Sequence, residues 1–226
     1  MIIGNGLIAS LFKDIDQTNV IYFASGVSNS AETDPLQFKR EEDLIRKTMT
    51  ENPDDLFVYF STCSMYDSSK NNSAYVLHKH KMEELIMQST SSYLILRVSN
   101  AVGKGGNPNL LMNYLVRSLK EGQSINVHTK ATRNLIDVED IKNITLELVA
   151  SKDYNKIINI AFPENYSITE LVTIVENFFG LKTAHKMIPT GSGYQISIPE
   201  VENYFIKKQL INKESYLCRI LEKYYS

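Results

Sequence analysis

Four short apolar runs, at residues 20–23, 56–60, 93–96 and 157–160, are continuous and bounded by polar residues. Strands buried on both faces carry this pattern, because helices cover a parallel sheet from either side. Between the runs, apolar residues recur at helical spacing over residues 38–51, 75–88, 109–121, 139–150 and 169–179. The alternation predicts an α/β fold, a parallel sheet with helices on both faces. A short strand is expected at 135–138, with Asp140 near a helix start. Beyond Gly180 the rhythm fades among Pro189, Gly191, Gly193 and Pro199, which predicts a core over residues 1–164 and a smaller lobe over 165–226. A crossing piece near 105–135 is expected to join that lobe. The aromatic end, with Tyr216, Leu217, Ile220, Leu221, Tyr224 and Tyr225 at helical spacing, predicts a packed terminal helix.

Composition narrows the picture without changing it. A length of 226 residues suits one core with an appended lobe. The net charge of −2, with both signs interspersed, gives no basic field for nucleic acid. Cys63 and Cys218 are the only cysteines, so neither a disulfide framework nor a thiolate metal site is expected, and a reducing cytoplasm fits. His128 and His185 lack clustered partners, so no metal is expected. No run nears the roughly 18 apolar residues of a membrane span, and no basic leader precedes the first apolar residues.

Candidate chemistry begins at Gly4-Asn5-Gly6-Leu7-Ile8-Ala9, a glycine turn between a very short strand and an apolar helical segment. Glycines there let a backbone approach a pyrophosphate. A tight turn needing glycine explains the same residues, and the acidic residue that ends a second strand about 20 residues on in a complete dinucleotide site is missing. Asp14 and Asp16 read as solvated turn residues instead.

Tyr-x-x-x-Lys occurs three times, as Tyr66 with Lys70, Tyr75 with Lys79, and Tyr204 with Lys208. Tyr66 and Lys70 sit in a loop composition that does not fix geometry, and no strand ending in a hydroxyl residue precedes Tyr204. Tyr75 and Lys79 open a helix, where four-residue spacing puts them on one face. Acid–base work by a phenol near neutrality needs its pKa lowered by about three units, roughly 4 kcal/mol, and a neighbouring ammonium supplies much of this. Thr62, ending the run 56–60, is placed to bind a reacting oxygen, although a strand-end hydroxyl also satisfies backbone. Cys63 reads as a small buried hydrophobe. His78 and His80 are out of phase with Tyr75 and read as solvent-facing or packed.

These residues resemble the extended short-chain dehydrogenase/reductase family, in particular its nucleotide-sugar epimerases, dehydratases and ketoreductases. Gly4 to Ala9 is similar to the family's glycine turn, Ala24-Ser25 to the strand end lining the cofactor, Ser61 to Tyr66 to the strand bearing the catalytic hydroxyl, and Tyr75 with Lys79 to the catalytic pair. Leu96-Arg97-Val98-Ser99-Asn100-Ala101-Val102-Gly103 is similar to the segment whose Asn approaches the substrate diphosphate. The stretch Arg133 to Ile141 resembles the one whose Arg grips it, and residues 158–171 resemble the strand, loop and helix that follow.

The resemblance implies a Rossmann-like, doubly wound fold of reduced strand number, with a cofactor-binding core and a small C-terminal substrate lobe. It implies NAD or NADP held by Gly4, Asn5, Gly6, Leu7, Ile8, Ala24, Ser25, Tyr75 and Lys79. It also implies catalysis by Tyr75, Lys79 and Thr62, and a nucleotide-sugar bound through Ser64, Asn100 and Arg133. The expected activity is epimerisation or ketoreduction in polysaccharide or glycan precursor synthesis, in the cytoplasm, and the family's habits allow a homodimer through the Tyr-bearing helix. Several features depart from the family. The second strand, its helix and the third strand look deleted, and the loop from Tyr66 to Tyr75 is short. Cys63-Ser64 replaces the Asp-Glu of the dehydratases, and Lys104 stands where fucose-forming relatives carry His. The alternative is a non-catalytic nucleotide-sugar-binding or regulatory protein that has lost the dinucleotide.

Overall fold

The computed structural model describes residues 1–15, 17–105 and 110–226. Asp16 and the expected helix start at Asn109 lie outside the described residues. In chain order the elements are β1 (Ile2–Ile3), α1 (Leu7–Ser10), β2 (Val20–Phe23), α2 (Pro35–Glu51), β3 (Leu56–Thr62), α3 (Ala74–Ser89), β4 (Tyr93–Val98) and β5 (Asn100–Val102). There follow α4 (Leu111–Lys120), β6 (Ile125–His128), β7 (Thr132–Arg133), β8 (Leu135–Asp137), α5 (Val138–Ser151), β9 (Lys156–Ile160), β10 (Tyr166–Ser167), α6 (Ile168–Phe179), β11 (His185–Ile188), α7 (Glu202–Lys207) and α8 (Lys213–Tyr225).

The main sheet has five parallel strands in the order β1-β2-β3-β4-β9. All four apolar runs are strands of it; the inner strands are buried on both faces, whereas edge strand β9 buries only Ile158 and Ile160 and leaves Ile157 exposed. Alternation sends Tyr22, Val58, Leu94 and Leu96 to one face, packed with Met112 and Leu115 of α4 and Ile141 and Ile144 of α5. Ile21, Phe23, Phe57, Tyr59 and Ile95 go to the other face, against Ile45 and Met49 of α2 and Met82 and Ile86 of α3. Each such aliphatic side chain contributes about 1.5–3 kcal/mol on burial. The first face continues into Phe162, Tyr166, Phe205, Tyr216 and Leu221, so α7 and α8 pack on the same core.

Two boundaries differ from expectation. The second helix starts at Pro35 because Asp34 caps it, its Oδ1 accepting the Leu36 N–H at 2.9 Å while proline takes the first turn. Cys63–Tyr66, read with the hydroxyl-bearing strand, and Ser68–Lys70, within the expected loop 67–72, form two 3-10 turns.

Candidate active site

The carboxyl ends of β1, β2, β3 and β4 lie side by side along one sheet edge, where open α/β sheets receive ligands. Gly4 follows β1 with φ +127°, and a Cβ there would lie 2.5 Å from the Ala24 carbonyl oxygen, so the β1 and β2 exits touch. Asn5 and Gly6 are exposed, and open space lies where a Gly6 Cβ would stand. Leu7 and Ile8 are half-buried and pack on the core. Ser25 is engaged by α2, with Arg40 Nη2 donating to its carbonyl at 3.0 Å and Nη1 to its hydroxyl at 3.3 Å.

Thr62 extends β3 beyond the register shared with β2. Its Oγ1 accepts the Ser64 N–H at 3.0 Å, so the expected strand-end role is present while the hydroxyl proton stays free to donate. Tyr75 stands at the start of α3, which Ser73 caps through the Val76 N–H. Tyr75 is 7% exposed and packs with Val27, Val76, Phe38 and Met65.

One helical turn on, Lys79 is 2% exposed and turns inward. Its Nζ donates to Glu41 Oε1 at 2.9 Å and to the Tyr59 hydroxyl at 3.0 Å. Glu41, on α2, is 0% exposed and also accepts the Tyr59 hydroxyl at 2.6 Å and the Val27 N–H at 2.7 Å. His78 Nε2 lies 3.0 Å from Glu41 Oε2, and its ring stacks on Phe38, so this histidine is the packed one while His80 is exposed. Burial alone would raise the Glu41 carboxyl, but Lys79, His78, Tyr59 and the Val27 N–H hold it well below the usual carboxylate range.

Sequence reasoning missed Glu41, because an acid on a helix normally reads as solvated. The available signal was its phase, since Glu41, Ile45 and Thr48 share the buried stripe of α2.

Arg97 braces the floor of the site, its Nη2 donating to Glu83 Oε2 at 2.6 Å and its Nη1 to the Tyr66 hydroxyl at 3.1 Å. Tyr66 in turn donates to Asn159 at 2.9 Å, so the first Tyr-x-x-x-Lys match is structurally fixed, contrary to its loop composition. Cys63 is buried and donates to the Arg97 carbonyl, and desolvation pushes its thiol up, which fits an inert packing residue.

Strand β5 pairs with β8, which sets Asn100 opposite Leu135, two residues after Arg133 of β7. Asn100 donates to the Asn134 carbonyl at 2.7 Å and also bonds the Tyr194 side chain. Ser64 is half-buried beyond Thr62. Arg133 is joined by residues not anticipated as site members. Lys70 is shifted down by burial and by the Arg133 guanidinium, and Asp67 is tied to Ser192 at 3.0 Å. Two cations thus share one locality beside a single carboxylate.

A family model described as the NAD dependent epimerase/dehydratase family matches residues 4–161. The chain belongs to this family. No curated protein matches it. A UDP-glucuronic acid 4-epimerase from Bacillus cereus, in complex with UDP-glucuronic acid and NAD, is 18% identical with a TM-score of 0.69 over 88% of this chain and 72% of that one. A dTDP-glucose 4,6-dehydratase from Bacillus anthracis in complex with NAD is 18% identical with a TM-score of 0.69, over 90% and 72%. RMD from Pseudomonas aeruginosa, complexed with NADPH, is 15% identical with a TM-score of 0.68, over 87% and 78%. At these identities the structures establish the Rossmann-like fold.

The residues present fit a dinucleotide in part. The open space before Gly6 suits its pyrophosphate. Lys79 suits the dinucleotide only when released from Glu41. At the adenosine end β1 is the sheet edge, and no strand-end carboxylate stands beyond it among the described residues. No helix among those residues is long and apolar enough to cross a membrane, and no group of three or more His, Cys, Asp or Glu is arranged to hold a metal.

Proposed function

We propose that the protein is an NAD(P)-dependent nucleotide-sugar epimerase or ketoreductase serving polysaccharide or glycan precursor synthesis in the cytoplasm. The observation that carries this reading is the order of elements: Thr62 ends β3, α3 follows with Tyr75 and Lys79 one turn apart at its start, and Asn100 comes just after β4, the strand paired with β3. Family membership supports it.

Tyr75 takes the proton from a sugar hydroxyl as its carbon is oxidised and returns one on reduction. Thr62 donates a hydrogen bond to the reacting oxygen and steadies the charge that develops there. Asn100 and Arg133 hold the donor diphosphate, for which the guanidinium offers bidentate, charge-assisted bonds, and Ser64 adds a further substrate contact. Gly4, Asn5, Gly6, Leu7, Ile8, Ala24, Ser25 and Lys79 would hold the dinucleotide, which when bound supplies the hydride acceptor and donor. Residues 1–164 then form the cofactor-binding core and 165–226 the substrate lobe. A homodimer through α3 belongs to the same reading.

The enclosure of Lys79 by Glu41 favours a second reading, a nucleotide-sugar-binding protein that takes no dinucleotide. Calorimetry separates the two, using NAD and NADP with UDP-, GDP- and dTDP-sugars. The first reading expects a dinucleotide and one nucleotide-sugar to bind. Binding of a nucleotide-sugar with no dinucleotide uptake at millimolar concentration selects the second.

A further inference from the structure

We propose that Glu41 is a gate on the dinucleotide site, holding the Lys79 ammonium inside the protein so that a nicotinamide dinucleotide binds only after Lys79 leaves it. The inference rests on the epimerase or reductase reading and adds a residue to it. Lys79 has two internal partners at 2.9 and 3.0 Å, which take two of the three donors of its buried ammonium. Gly26 lies over the ammonium, since a Cβ there would fall 2.4 Å from Lys79 Nζ and 2.7 Å from Glu41 Oε1. Any larger residue at this position would collide with the pair, so the cover is a close backbone contact.

The release is chemically feasible because Glu41 does not depend on Lys79 alone. The Tyr59 hydroxyl, the Val27 N–H and His78 Nε2 stay within hydrogen-bond distance of its two oxygens. The carboxylate therefore keeps the Tyr59 hydroxyl and the Val27 N–H as donors when the ammonium swings out, with His78 Nε2 still 3.0 Å from Oε2. Residues 24–34, which carry Gly26 and Val27, contain no helix or strand and connect β2 to α2. The cover and the gate are thus on neighbouring pieces of chain. A lysine held closed in this way lowers apparent affinity by the fraction of molecules in the released state.

The test is a calorimetric titration of NAD and NADP into the wild type, Glu41→Gln, Lys79→Met and the double variant. Thermal melts would verify that each is folded. The double variant replaces a buried pair by neutral side chains of similar shape, a change that is often tolerated. The gate predicts that Glu41→Gln tightens dinucleotide binding by about tenfold or more, and that the gain vanishes in the Lys79→Met background. A Glu41→Gln affinity within about twofold of the wild type, or weaker, overturns the gate while leaving a dinucleotide-binding enzyme. Failure of all four proteins to bind a dinucleotide, when a nucleotide-sugar still binds, overturns both the gate and the dinucleotide reading.

Discussion

Lys79 Nζ and Glu41 Oε1 lie 2.9 Å apart in a pair closed off from solvent, on two helices that cover the same face of the sheet. Removing the Glu41 charge leaves the Lys79 ammonium buried without its counter-charge, so Glu41→Gln should lower stability at neutral pH by about 3 kcal/mol. The Glu41 carboxyl is held below its unfolded value, so its contribution is complete above that value and is lost as pH falls through the acid range. Denaturant unfolding at neutral pH and near pH 3 should therefore show the variant's deficit shrinking on acidification. A deficit that is constant with pH contradicts this account of the pair.

Burial and the nearby Arg133 guanidinium both disfavour the charged form of Lys70, and a bound diphosphate would offset this. Arg133→Ala should weaken nucleotide-sugar binding by at least about tenfold, with a smaller loss for Lys70→Ala. Binding by the wild type should also weaken with added salt. Calorimetry at low and high ionic strength checks this, and a salt-independent affinity unaffected by Arg133→Ala removes these residues from the site.

The C-terminal helices are strapped to the start of α5. Asp140 accepts the Tyr204 and Tyr216 hydroxyls, each at 2.7 Å, and Arg219 at 2.9 Å, while Asp137 accepts Tyr224 at 2.6 Å and Lys223 at 3.0 Å. Asp140→Ala leaves two phenols without their acceptor and should cost about 2–4 kcal/mol. Limited proteolysis should then cut first between α6 and α8. Cleavage sites and melting temperature that match the wild type would show that the strap is dispensable.

The sheet was legible because β2, β3 and β4 are buried on both sides and read as unbroken apolar runs, while edge strand β9 keeps an apolar run although one face is exposed. Tyr75 and Lys79 were legible as a pair because helical spacing fixes which side chains share a face. Their environment was not. Glu41 comes from a helix 38 residues away in sequence, and its burial follows from how α2 and α3 dock. Tyr66 was misjudged for the same reason, as its hydroxyl is fixed by Arg97 and Asn159, 31 and 93 residues away. Turn composition carries no record of such partners. Asp34 was different, since an acid before proline is a local cap signal that periodicity alone passes over.

The most direct measurement is turnover of a panel of UDP-, GDP- and dTDP-sugars, with NAD and NADP supplied, by the wild type and Tyr75→Phe. Product sugars are resolved by chromatography. The wild type should convert one nucleotide-sugar, and Tyr75→Phe should lose at least about a hundredfold in kcat with KM little changed, because the lost phenol acts on the proton and not on the diphosphate. Full turnover by Tyr75→Phe on the substrate that the wild type converts would contradict the assignment of the chemistry to Tyr75.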